Sequence, residues 1–214
     1  MDTDWKINFG NNEMKYLADV LQINKVITQL DLSRNEIGDV GAECLARVLQ
    51  NNKTLTQLNL SSNAIGGNAM KFLSSALESH IMLATLNLER NKIGDFGAQC
   101  LADVLRKSKT ITTLNLQSNQ IGQDGVRYIS DALEHNPILV TLDLGYNQIG
   151  DIGAQYLADV LKNNKILTKL NLNVNQIGDD GAQQLVFALS ENTVTYWFLL
   201  NLAMFIYTFT PRHC

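Results

Sequence analysis

The sequence predicts an α/β solenoid, a curved coil of short parallel strands in which each strand is followed by a turn and a helix. Three observations predict it. A Leu-x-Leu triplet recurs at Leu30/Leu32, Leu58/Leu60, Leu86/Leu88, Leu114/Leu116, Leu142/Leu144 and Leu170/Leu172, always 28 residues apart, with no insertion or deletion. Three residues after each triplet comes an asparagine (Asn35, Asn63, Asn91, Asn119, Asn147, Asn175), and an Ile-Gly pair follows it. A helical pattern then begins, as in Ala42, Leu45, Ala46 and Leu49, whose i, i+3, i+4, i+7 spacing marks one face of a helix.

Each element has its own reason. In the strand, alternation sends the leucines to one side and the intervening residues to the other. No single unit can bury its leucines, so neighbours must stack into one continuous interior. Strands joined by a helix crossover pair in parallel. The asparagines have two donors and an acceptor at the bend after the strand, where turn backbone is left open, and are read as structural. The glycine beside them suits a tight turn with positive φ. Asp39, Asp95, Asp151 and Asp179 stand where a helix N-cap is wanted. Cys44, Phe72, Cys100, Tyr128 and Tyr156 share one column of the helix and read as packing residues; the two cysteines lie two units apart, so free thiols are expected.

Helices ~10 Å apart behind strands ~4.8 Å apart turn each unit by roughly 20–25°. The result is an open right-handed horseshoe of about six full units, with the parallel sheet on its concave face and the helices on its convex face. Residues 26–192 form this solenoid. Residues 1–25 make a partial unit or cap, in which Glu13, Tyr16, Leu17, Val20 and Leu21 match the helix half. After Asn192 the pattern breaks down. Residues 193–210 have no charge and six of the fifteen aromatic residues, and 193–214 read as a divergent last strand and hydrophobic cap, a membrane anchor or an abnormal end of a longer array.

The string Leu-Thr-x-Leu-Asn-Leu-x-x-Asn-x-Ile-Gly-Asp-x-Gly-Ala-x-x-Leu-Ala-x-x-Leu, present with small variations at Leu55–Leu77, Ile111–Leu133 and Leu167–Leu189, resembles ribonuclease-inhibitor-type leucine-rich repeats. It is most similar to the repeat arrays of NOD-like receptors. The resemblance implies a non-catalytic module that scaffolds or senses by binding a protein on its concave face. Two alternatives stay open: a regulator, inhibitor or activator, of a GTPase or nuclease, and a membrane-tethered adaptor using residues 193–210.

The concave surface follows from the outward strand positions: Gln29, Gln57, Thr85, Thr113, Thr141 and Lys169, then Asp31, Asn59, Asn87, Asn115, Asp143 and Asn171, then the loop residues just beyond. It is polar and nearly free of aromatics. Interfaces are anchored by Tyr, Trp and Arg, so Tyr146, Arg34 and Arg90 are the leading contact candidates, joined by Glu89, Gln117, Asp143 and Lys169. No phosphate-binding or dinucleotide motif occurs, and neither histidine spacing nor cysteine spacing suits a metal. We therefore expect no enzyme, cofactor or metal. A net charge of −4, from 21 acidic and 17 basic residues, argues against nucleic acid, which demands a concentrated basic face. The polar acidic start carries no signal peptide and the three cysteines form no disulfide framework, so the cytoplasm is the expected compartment.

Overall fold

The computed structural model describes residues 10–11, 13–192 and the backbone of 197–199. In chain order the elements are α1 (Glu13–Ile23), β1 (Gln29–Asp31), α2 (Asp39–Asn51), β2 (Gln57–Asn59), α3 (Gly67–Ser79), β3 (Thr85–Asn87), α4 (Gly94–Lys107), β4 (Thr113–Asn115), α5 (Gln123–Leu133), β5 (Thr141–Asp143), α6 (Gly150–Leu161), β6 (Lys169–Asn171), α7 (Asp179–Glu191) and β7 (Trp197–Leu199). The strands form one parallel sheet in sequence order. Every pairing has a register of 28, from Leu30 opposite Leu58 to Leu142 opposite Leu170. Each helix packs on its neighbours in sequence, which is the nearest-neighbour architecture of a solenoid. Helices need more room than strands, so the sheet takes the concave side.

The interior is a single column. Leu58, Leu86, Leu114, Leu142 and Leu170, their partners two residues on, and the isoleucines from Ile37 to Ile149 are all buried in one cluster with the inner helix faces. Burying a leucine or isoleucine contributes roughly 1.5–3 kcal/mol. These contacts cross unit boundaries, so the stability belongs to the stack. At the N-terminal end α1 packs on α2. Met14 and Leu21 are buried, while Tyr16 and Val20 face solvent.

The asparagines join consecutive units. Asn147 is representative: its Nδ2 donates to Leu116 O (3.0 Å) in the unit before and to Leu144 O (2.9 Å) in its own, while its Oδ1 accepts from the backbone N–H of Asn119 (2.9 Å) and Ile121 (3.0 Å). Asn63 repeats all four bonds. Asn91 and Asn175 make the same two donations. Asn119 donates to Leu88 O, and Asn35, in the first full unit, donates to Ser33 O.

Two turn readings need correction. The left-handed position is not generally the glycine of the Ile-Gly pair. Only Gly94 and Gly150 have positive φ, whereas Gly38, Gly66, Gly122 and Gly178 are extended. The position that is left-handed in every unit is the one before the asparagine, at Arg34, Ser62, Arg90, Ser118, Tyr146 and Val174, with φ from 53° to 60°; Glu36, Gln120 and Gln176, just after the asparagine, are left-handed as well. Before the asparagine, that conformation lets the N–H prolong the sheet ladder beyond the strand, as in Tyr146 N–H donating to Asn173 O at 2.7 Å.

Nor do the aspartates cap their own helices, since no helix from α2 to α7 has a side-chain N-cap bond. Asp95 Oδ1 accepts instead from Gly122 N–H (2.6 Å) and Gly125 N–H (3.0 Å), at the start of the next helix, α5. Asp151 does the same for α7, and Asn11 for α2. The carboxylate sits one residue inside its own helix, so it lies beside the following N-terminus, where open N–H groups and the helix dipole favour it.

A second column, at the helix C-terminal ends, is absent from the sequence reading. Asn24, Asn52, His80, Ser108, Asn136 and Asn164 each accept from the backbone N–H groups two and three residues on. Asn136 and Asn164 also donate from Nδ2 to the preceding unit, at Leu105 O (2.6 Å) and Leu133 O (2.9 Å). His80, only 6% exposed, has its Nε2 without a hydrogen-bond partner. Burial lowers its pKa, so the neutral form is favoured in the fold. The stability linked to that neutral form is complete above about pH 6.5, and is lost as pH falls from there through the lowered folded value. We expect His80→Asn, whose amide fits the column and reaches toward Leu49 O, to gain about 1 kcal/mol and to remove this acid sensitivity. Urea unfolding at neutral and mildly acidic pH checks both; an unchanged pH slope would sink the assignment.

Beyond α7 the backbone keeps its register over residues 197–199. β7 pairs with β6 so that Phe198 stands opposite Leu170, again at 28 residues. The anchor and abnormal-end readings of 193–214 otherwise fall outside the described residues.

Candidate functional site

The sheet face is built from three outward positions in each unit. The first column, Gln29 to Lys169, lies open or half-open to solvent. The second is engaged with its own backbone. Asp31, Asn59, Asn87, Asn115, Asp143 and Asn171 each accept from the N–H two residues on, at 2.8–3.1 Å. These Asx turns bend the chain out of the strand, which is why short amides and carboxylates fill the column. At Asp31, partial burial raises the pKa, but the bonds from Ser33, the Asn59 amide and the Arg34 charge outweigh it and hold the carboxyl below its ordinary value.

The third position projects from the left-handed turn along one edge of the sheet. It carries Arg34, Arg90, Tyr146 and Val174 in solvent, with Tyr146 54% and Val174 53% exposed. A left-handed non-glycine residue costs roughly 1 kcal/mol or more, and a β-branched valine is among the least suited. Tyr146 and Val174 come from consecutive units and form the largest apolar feature of this edge.

The predicted contact residues divide accordingly. Arg34, Arg90, Tyr146 and Lys169 are exposed, the first three along the turn edge and Lys169 in the first strand column of the last described full unit. Glu89 is half-buried and pairs with Arg90 Nε at 3.4 Å. Gln117 is half-buried in the loop after β4. Asp143 is occupied: besides Gly145 N–H, both its carboxylate oxygens accept from Asn171 Nδ2 at 3.0 Å. Val174, absent from the predicted contact set, stands 28 residues after Tyr146, so the period places it on the same edge; its left-handed conformation has no signal in a valine.

Among the described residues no group of three or more His, Cys, Asp or Glu side chains is placed to hold a metal ion. Cys44 is buried and free, and Cys100 is half-buried and free. Burial, with the Asp103 charge, pushes the Cys100 thiol up and keeps it protonated, hence a poor nucleophile. Phe72, in the same column, is exposed, so that column is only partly a packing column. No described helix is long and apolar enough to cross a membrane.

Sequence comparison agrees with the geometry. A family profile described as "Leucine Rich repeat" matches six times, at residues 24–46, 51–74, 79–102, 107–130, 135–158 and 163–186, which is well over half of the chain. The chain is a leucine-rich-repeat protein. No curated protein matches it in sequence. Among solved structures, the leucine-rich-repeat chain is similar to leiomodin-1 actin-binding site 2, with 28% identity and a TM-score of 0.57, covering 69% of this chain and 86% of that one. It also matches the tropomodulin C-terminal domain of Caenorhabditis elegans at 12% identity and a TM-score of 0.51, over 84% of this chain and 93% of that one, a likeness of fold alone.

Proposed function

We propose that this leucine-rich-repeat chain is a non-catalytic protein-binding module of the cytoplasm, and that its partner is actin. The observation that carries the reading is the 28% identity to the actin-binding site 2 of leiomodin-1, extending over 86% of that structure. The chemistry of the sheet face supports it. A rigid parallel sheet presents polar groups that are mostly held by their own backbone, while one edge offers Arg34, Arg90, Tyr146 and Val174. Rigid aromatic and guanidinium anchors on a preorganised scaffold are the usual source of binding energy in an interface.

Co-sedimentation with actin filaments and a fluorescence titration of actin monomers test the reading with the full chain. We expect binding to at least one form with a Kd of about 1–10 µM. Arg90→Ala and Tyr146→Ala should each weaken it about tenfold or more, with the melting curve unchanged. Absence of binding to either form at about 50 µM would overturn the partner. Binding that survives both substitutions would overturn the face while leaving the partner in place.

A further inference from the structure

The loops that lead from each helix to the next strand form the edge of the solenoid opposite the turn edge. In them, the column through Asn52, His80 and Ser108 accepts from the backbone N–H groups two and three residues on. Those bonds fix the loop and leave the next side chain to project outward. Lys25, Lys53, Ile81, Lys109, Pro137 and Lys165 hold that place, and all are exposed. The strands pair without stagger from β1 to β6. The loops therefore end flush with one another, and a flat partner can touch several at once.

Two independent observations set this edge apart. The first is charge. In the loops after α1 to α4, residues 24–28, 52–56, 80–84 and 108–112, the charged residues are all lysines. Among the described residues, Lys25, Lys53 and Lys109 take part in no ion pair, whereas Lys107, at the end of α4, is paired with Glu78 at 2.7 Å. Acidic groups gather on the opposite edge, where the helix starts carry Asp39, Asp95, Asp124, Asp151, Asp179 and Asp180. A helix of 13 residues such as α2 spans about 20 Å. That is more than twice the ~8 Å screening length at physiological salt, so the lysine edge acts as cationic although the chain carries −4. The loop after α5 is the exception. Pro137 replaces the lysine, and Glu134, outside any described ion pair, stands just before it. The second observation is apolar exposure. Between the lysines stand Val26, 83% exposed, and the adjacent Ile81 and Met82, 63% and 44% exposed. Helix dipoles account for lysines beyond helix C-terminal ends, but not for aliphatic side chains held in water among them.

We propose that the edge formed by the loops after α1 to α4 lies on the surface of an anionic lipid membrane. Lysines close to such a surface each strengthen attachment roughly fivefold. Aliphatic side chains on the same loops can enter the boundary between headgroups and acyl chains, where burial and charge act together. A nucleic acid fits less well. These four loops hold no Phe, Tyr or Trp on which a base could stack, and no arginine to grip a phosphate with two bonds. Contact with a nucleic acid would also leave Ile81 and Met82 in water. Attachment by this edge keeps the sheet face clear of the membrane, and the proposal does not depend on the partner assigned to that face.

Sedimentation of the full chain with phosphatidylcholine vesicles, with and without about one-third phosphatidylserine, tests it. We expect half-binding to the anionic vesicles at about 0.1–1 mM lipid, release at about 0.5 M salt, and at least tenfold weaker binding to phosphatidylcholine alone. The double substitution Lys53→Gln, Lys109→Gln changes exposed side chains only, so the fold should hold; it should weaken binding to anionic vesicles about tenfold or more. Lys92→Gln, a lysine lost from the opposite edge, should leave binding unchanged. Ile81→Ser with Met82→Ser should weaken it about threefold or more. Equal binding to both kinds of vesicle would place the attachment elsewhere in the chain and overturn the proposal. So would an unaffected lysine variant, or a loss on Lys92→Gln as large as that on the double substitution. An unaffected Ile81→Ser, Met82→Ser variant would overturn the membrane in favour of an acidic protein partner.

Discussion

Replacing Asn147 by alanine is expected to cost about 3–5 kcal/mol, the largest effect of any single polar substitution in the chain. The side chain is 4% exposed and serves groups in two units. Its removal orphans the carbonyl of Leu116 and the N–H groups of Asn119 and Ile121, all in the buried seam, while Leu144 O keeps the bond from Asn175 Nδ2. A lost hydrogen bond whose partner stays buried costs the full desolvation of that partner, roughly 1–3 kcal/mol each, and the surrounding chain recovers only part of this by relaxing. Asn147→Asp should cost nearly as much, because a carboxylate would face two carbonyls with no donor to offer. Urea unfolding at equilibrium measures the shift. A loss under about 1 kcal/mol would mean that the sheet ladder alone holds the units together.

Gly125→Ala should cost about 2–3 kcal/mol, for a different reason. Its backbone is ordinary, so strain in φ is not the cause. A methyl group there would lie 2.6 Å from Asp95 Oδ1, 2.7 Å from Ile121 Cγ2 and 3.1 Å from Ala98 Cβ. The isoleucine is buried and branched, and the carboxylate is bound to Gly125 itself, so neither can withdraw freely. The same substitution at Gly66, where the nearest atom is 3.6 Å away, should be nearly neutral. A double-mutant cycle with Asp95→Ala separates the contributions: much of the Gly125 effect should vanish once the carboxylate is gone. If the two effects simply add, the crowding arises from Ile121 alone.

Much of the fold was legible because its causes repeat. The Leu-x-Leu triplets, the asparagines and the helix periodicity each recur six times at one spacing, so sheet order, register and core all follow from period and chirality. Less visible were features set by contacts between units. Asp95 reads as a cap for its own helix, since sequence neighbours are the only neighbours a string displays; the helix it caps begins 28 residues later. The column through Asn52, His80 and Ser108 escaped notice because three different side chains share one task, accepting from the N–H groups two and three residues on. The site was less legible still. Exposure of Tyr146 and Arg90 follows from position, but the occupation of Asp143 by Asn171 and the left-handed conformation of Val174 depend on the packed backbone.

The reach of Asn147 back to Leu116 and of Asp95 forward to Gly122 makes the stack vectorial. A chain emerging from the ribosome can close the seam of one unit only after the asparagine 28 residues downstream has been made, while each helix start awaiting a carboxylate already has it behind. The growing end is therefore always the least finished. Shortened proteins should differ by direction: cutting from the C-terminal side exposes an open asparagine seam, whereas cutting from the N-terminal side uncovers a helix start.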